Sequence, residues 1–95
     1  ENEVAMIDAD GDQPNLKVLF STKNHLNADF AWHPSGKRIV FATMNLPTKT
    51  TQLFEVDPTM IGPAVLVKGQ DPKRNNTDAC WTPDGKRLIV ISGDY

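Results

Sequence analysis

Few residues in this chain have the types and spacing that chemistry requires. Asp8, Asp10 and Asp12 surround Gly11 in the pattern that opens a calcium loop. A loop of that kind closes with a bidentate Glu at its twelfth position and lies between two helices. Here that position is Leu19 and no helical pattern flanks it, so the segment reads as a turn, with calcium the weaker alternative. His25 and His33 have no third ligand at a suitable spacing, which argues against a metal site. No G-x-S-x-G elbow occurs, so a hydrolase-type catalytic serine is not among these residues. No C-x-x-C-H occurs either, so they cannot attach a c-type haem. We therefore expect no catalytic residue and no cofactor in this segment. Asp29 and Asp78 are the best candidates for polar groups that bind something, because each immediately precedes the same motif. The plainer alternative is that each carboxylate accepts backbone N–H bonds at a tight strand start.

Asp29 and Asp78 are equivalent because the chain repeats itself without a gap at an offset of 49 residues, from Asn27 to Asn76. Residues 27–43 lie over residues 76–92, with Asn, Asp, Trp, Pro, Gly, Lys and Arg recurring in place and apolar positions staying apolar. The same offset sets residues 4–8 over 53–57, and Pro14 over Pro63. A fixed period in this range marks an array of units that cannot bury their own apolar faces alone.

The units read as β throughout. Pro34-Ser35-Gly36 and Pro83-Asp84-Gly85 have turn chemistry: Pro presets the first corner and Gly accepts the positive φ that follows. Each should close a hairpin, in the first copy between strands at 30–33 and 38–43. A third strand is expected at 52–56, ended by Asp57-Pro58, and a fourth at 64–67. Ile39 to Ala42 and Leu88 to Ile91 are apolar without alternation, which predicts strands covered on both faces. Trp32, Ile39, Phe41, Trp81, Leu88 and Val90 should be buried. Cys80 is the one cysteine, so no internal disulfide can form; between Ala79 and Trp81 it should be a small buried hydrophobe. The chain thus phases as half a unit at 1–22, a complete four-stranded unit at 27–68 and half a unit at 76–95.

Residues 31–42 and 80–91, each built on Trp-x-Pro-x-Gly-Lys-Arg followed by an apolar run, resemble the W-S-P-D-G-K-x-I-A-F signature of TolB-type, WD40-like β-propeller repeats. Residues 4–11 resemble the M-D-A-D-G strand end of the same family. The pattern departs at His33 and Thr82, where Ser is usual, at Ser35 in place of Asp, and at 57–60, where Asp-Pro-Thr-Met replaces Asp-Ala-Asp-Gly. The resemblance implies an all-β fold of four-stranded antiparallel blades, usually six to a ring, in exported or periplasmic bacterial proteins. It implies a protein-interaction scaffold, with two alternatives: the substrate-gating propeller of a dipeptidyl-peptidase-like serine hydrolase, or the propeller of a multidomain redox enzyme. In either alternative the catalytic groups would lie outside this chain.

Composition narrows the partners. A net charge of -2 gives no electrostatic case for nucleic acid. No apolar run is long enough for a membrane-spanning helix. Asn75-Asn76-Thr77 is a formal glycosylation sequon, expected to be idle on a bacterial-looking repeat. The partner is expected to be another protein or the rest of the same propeller. Expressed alone, the piece should associate head to tail, three copies giving six blades.

Overall fold

The computed structural model describes residues 2–60 and 62–94; Glu1, Ile61 and Tyr95 lie outside the described residues. Among the described residues eight strands run in chain order: β1 (Asn2–Met6), β2 (Lys17–Thr22), β3 (His25–Trp32), β4 (Ile39–Asn45), β5 (Thr50–Val56), β6 (Val65–Leu66), β7 (Asn75–Trp81) and β8 (Leu88–Gly93). They form three antiparallel sheets, β1-β2, β3-β4-β5-β6 and β7-β8, each with its strands in sequence order. The described residues contain no helix.

The offset of 49 is a property of the backbone as well as the sequence. Gly36 and Gly85 take φ of 75° and 72°, the left-handed value that closes each hairpin. The turn bonds repeat: Gly36 N–H donates to His33 O at 2.9 Å, and Gly85 N–H to Thr82 O at 2.8 Å. His33 N–H donates to Arg38 O, and Thr82 N–H to Arg87 O, at 2.8 and 2.9 Å. The ladder of β3 with β4 slips between Ala28 and Ala31, and that of β7 with β8 slips between Thr77 and Cys80. Both first strands therefore carry a bulge at the same place, and β3 extends well before the expected residue 30.

The middle sheet holds the core. Ile39, Val40, Phe41, Ala42 and Thr43 are all buried, so the unbroken apolar run is covered on both faces as expected. Alternation along β4 sends its side chains two ways. Ile39 and Phe41, with Val56, pack against Val4, Leu19 and Phe20 of the first sheet. Val40 and Ala42, with Leu53, pack against Ala79, Trp81, Leu88 and Val90 of the last sheet. Phe20 reaches Phe41 and Phe54 with ring centroids 5.3 and 5.7 Å away, aromatic spacing that adds to area burial.

Four expectations are corrected. Trp32 is 53% exposed, because the first sheet covers Ile39 and Phe41 but stops short of it. The run Leu88 to Ile91 is covered on one face only. Leu88 and Val90 turn to the middle sheet and are half-buried, whereas Ile89 and Ile91 point away from it, 63% and 60% exposed. Cys80 is exposed rather than buried, since it pairs with Ile89 and shares that outward face. The fourth strand is two residues long instead of four: beyond Leu66 the Val67 N–H still donates to Leu53 O at 3.0 Å, and the side chain of Gln70 completes the edge of β5.

Candidate functional site

Asp29 and Asp78 sit inside the two bulges. Each adopts a left-handed backbone, φ 58° and 55°, which Asp tolerates better than most residues but Gly accepts freely. Among the described residues neither carboxylate accepts the backbone N–H bonds considered above. Asp78 Oδ2 accepts the Thr77 hydroxyl at 2.9 Å, and Asp29 and Asp78 are both exposed. These aspartates shape the bulge and present a carboxylate at the same corner of successive sheets. Among the described residues neither belongs to a cluster of three or more His, Cys, Asp or Glu side chains.

Asp8, Asp10 and Asp12 form a turn. Asp8 Oδ1 accepts the Asp10 N–H at 3.3 Å, and Asp8 O accepts the Gly11 N–H at 3.1 Å. The Asn15 side chain fastens the loop, taking the Asp8 N–H at 2.6 Å. The second copy repeats the device without the Asp-Ala-Asp-Gly sequence. Asp57 Oδ1 accepts from the Thr59 N–H and hydroxyl at 2.8 and 2.6 Å, and Asp57 O from the Met60 N–H at 3.4 Å. No group of three or more His, Cys, Asp or Glu among the described residues is gathered as a metal site. The Thr59 bonds hold the Asp57 carboxyl below its ordinary value, and the Thr82 hydroxyl and Lys86 N–H do the same for Asp84.

The most elaborate side-chain assembly joins the middle and last sheets. The His33 ring lies edge-on to Trp81 at 4.6 Å, while Arg38 Cζ stacks over the same indole at 4.6 Å. Arg38 is aimed by Glu55, whose Oε2 takes Nε at 3.0 Å and Nη2 at 2.5 Å. Ser35 N–H donates to His33 Nδ1 at 3.0 Å, which makes Nδ1 an acceptor and leaves Nε2 to donate to Gly85 O at 2.9 Å. His33 and Ser35 thus act as a pair. In the second copy the same two places carry Thr82 and Asp84, bonded hydroxyl to carboxylate at 2.6 Å. His33 instead bonds Ser35 locally and also reaches the next hairpin.

At the opposite end of this junction Thr51 N–H donates to Asn75 Oδ1 at 2.8 Å, and Gln52 Nε2 to Arg74 O at 2.7 Å. Asn76, 1% exposed, donates to Asp71 O and Arg74 O at 3.0 and 3.2 Å. The same place in the first copy carries Asn27, whose Oδ1 accepts the Thr43 hydroxyl at 2.9 Å. Nothing in the sequence pointed to Gln70 or to the Arg38–Glu55 pair. His25 and His33 do not converge: Nδ1 of His25 is bonded locally to Lys23 O at 2.7 Å.

Two copies of one unit therefore share turns, bulges and inter-sheet faces at a fixed offset. Comparison with protein-family models, curated proteins and solved structures finds no match. The chain's own two copies are the informative comparison. They agree in hairpin turns and bulges, and differ in the length of the fourth strand, six residues in β2 and two in β6, and in the side chains that reach between sheets. The exposed corners of both copies present carboxylates and turn backbone.

Proposed function

We propose that the chain is a segment of a β-propeller that acts as a non-catalytic protein-interaction scaffold in a larger exported or cell-envelope bacterial protein. The observation that carries this reading is the middle sheet, packed on both faces by neighbouring sheets through residues one repeat apart. Face-to-face packing of four-stranded antiparallel sheets is how propeller blades bury unbroken apolar strands. The family signature on residues 31–42 and 80–91 supports the same reading, and the exposed corners bearing Asp29 and Asp78 are the surfaces a protein partner would meet.

The coding sequence on either side of these residues tests it. Further units of Trp-x-Pro-x-Gly-Lys-Arg at similar spacing, without catalytic motifs, are the expected result. A G-x-S-x-G elbow followed by Asp and His would make the segment the gate of a serine hydrolase. C-x-x-C-H motifs would make it part of a haem enzyme.

A further inference from the structure

We propose that the groove between the middle and last sheets, at the corner bearing Asp29, takes the lysine side chain of a protein partner. The inference rests on the scaffold reading and names the group such a partner would offer. Leu26 and Ala28 of β3, Ala42 and Met44 of β4, Thr51 of β5 and Thr77 of β7 line a space of about 240 Å³. Its walls are the middle sheet and β7, not the outer faces of the first and last sheets. Drug-sized ligands occupy about 300–1,000 Å³, so this groove suits a single side chain.

The repeat shows why the space is open. Ala28 pairs with Ala42 across β3 and β4. One repeat on, the same cross-strand pair is Thr77 with Ile91. Alanine methyls where the second copy carries larger side chains leave the gap under-filled. Leu26, on the same wall, is 48% exposed. Thr51 is 4% exposed, and its hydroxyl has no hydrogen-bond partner among the described residues. Buried hydroxyls are seldom left so in a finished core.

The polar groups say what enters. Asp29 is exposed and lines the same groove. The bulge and a φ of 58° fix its place there, a conformation that costs Asp more than Gly. Bulges re-aim side chains in this way. Among the described residues no ion pair engages its carboxylate. The Thr77 hydroxyl donates to Asp78 Oδ2, which leaves its oxygen able to accept. Apolar walls suit an aliphatic stem, and an unpaired carboxylate beside an accepting hydroxyl suits the ammonium at its tip. An acidic side chain would meet repulsion, and a purely apolar one would leave the carboxylate unanswered.

The test follows backbone amide shifts of the 95-residue chain at low salt. The probes are Nα-acetyl-lysine amide, the norleucine compound that keeps the stem without the ammonium, and the glutamate compound. The lysine probe should give saturable, millimolar shifts at Ala28, Asp29, Thr51 and Thr77. The norleucine probe should bind about tenfold more weakly and the glutamate probe not at all. Asp29→Asn, which tolerates the left-handed bulge, should reduce the lysine probe to the norleucine level. Ala28→Thr, the residue of the second copy at an exposed position, should weaken both. Asp78→Asn removes the same charge from the other copy and should change neither. No saturable shift from the lysine probe, equal binding of norleucine, or equal loss from Asp78→Asn would each overturn the proposal. The lysine-to-norleucine comparison needs no variant and decides by itself. Those outcomes leave the scaffold reading standing, since that is decided by the flanking coding sequence.

Discussion

At the scale of single residues, the two hairpin glycines look interchangeable in sequence and are not. Both need a positive φ, so alanine at either position carries a backbone cost of roughly 1–2 kcal/mol. A Cβ on Gly36 meets nothing within 4 Å, whereas one on Gly85 lies 2.5 Å from His33 Nε2. Gly85→Ala should therefore destabilise more than Gly36→Ala in denaturant titrations. Adding His33→Ala should recover part of the difference, a coupling that independent sites would not show. The turn aspartates make a second prediction, about acid. Asp57 and Asp84 are held below the ordinary aspartate pKa of about 3.9 by hydroxyl and N–H donors. The unfolded chain then binds protons first as pH falls. Their stabilisation is fully present above that ordinary value and is lost as pH drops through the lower folded values. Thermal melts of Asp57→Asn with Asp84→Asn should lose less melting temperature than the parent on acidification through this window. An equal loss would mean that other carboxylates carry the acid response.

At the scale of elements, the edge of β5 shows a side chain doing the work of a strand. β6 pairs only Phe54 with Leu66 and Glu55 with Val65. Beyond that, the Gln70 amide takes the Leu53 N–H at 2.9 Å and donates to Leu53 O and Val67 O, both at 2.8 Å. Gln70→Ala should remove the partner of the Leu53 N–H and of Val67 O, while Leu53 O keeps the Val67 N–H at 3.0 Å, at a cost of about 1–3 kcal/mol. Gln70→Glu should cost more, since a carboxylate cannot donate to either carbonyl. Faster amide exchange at Leu53 in both variants checks the mechanism, and unchanged exchange there would refute it. This element also marks how far the sequence could be read. The hairpins were legible because Pro-x-Gly has few backbone solutions, and β4 because four consecutive apolar residues admit burial on both sides. The fourth strand was legible at 64–67 but its shortness was not, because part of the bonding at that edge comes from a glutamine outside any strand pattern. Nor were the bulges, since Asp29 and Asp78 carry no Gly to announce a positive φ. Periodicity suggested burial for Trp32 and Ile91, but it reports which face a residue takes and not whether a neighbour covers that face.

At the scale of the whole molecule, the three sheets stand in a row instead of around one centre, and stability should follow that row. The Cα radius of gyration is 13.8 Å, somewhat above the 12 Å or so of a compact chain of this length. In such arrays each unit is stabilised mainly by its neighbours, so a unit with two neighbours outlasts a unit with one. The middle sheet has two: Phe41 is fully buried beneath Phe20 and Phe54 on one side, while Val40 and Leu53 meet Trp81 on the other. The outer sheets each have one, and only two strands to hold them. Amide exchange of the dilute chain should therefore be slowest in β4 and β5 and faster in β1, β2 and β8, as sub-global opening dictates. Phe41→Ala, at the usual cost of about 3–5 kcal/mol for emptying a buried aromatic site, is a large fraction of what a small domain possesses and should release all three sheets together. Val4→Ala, at the junction with the first sheet, should instead speed exchange in β1 and β2 while β4 and β5 keep most of their protection. Uniform exchange across the eight strands, or equal global loss from both substitutions, would show one cooperative unit in place of a row of sheets.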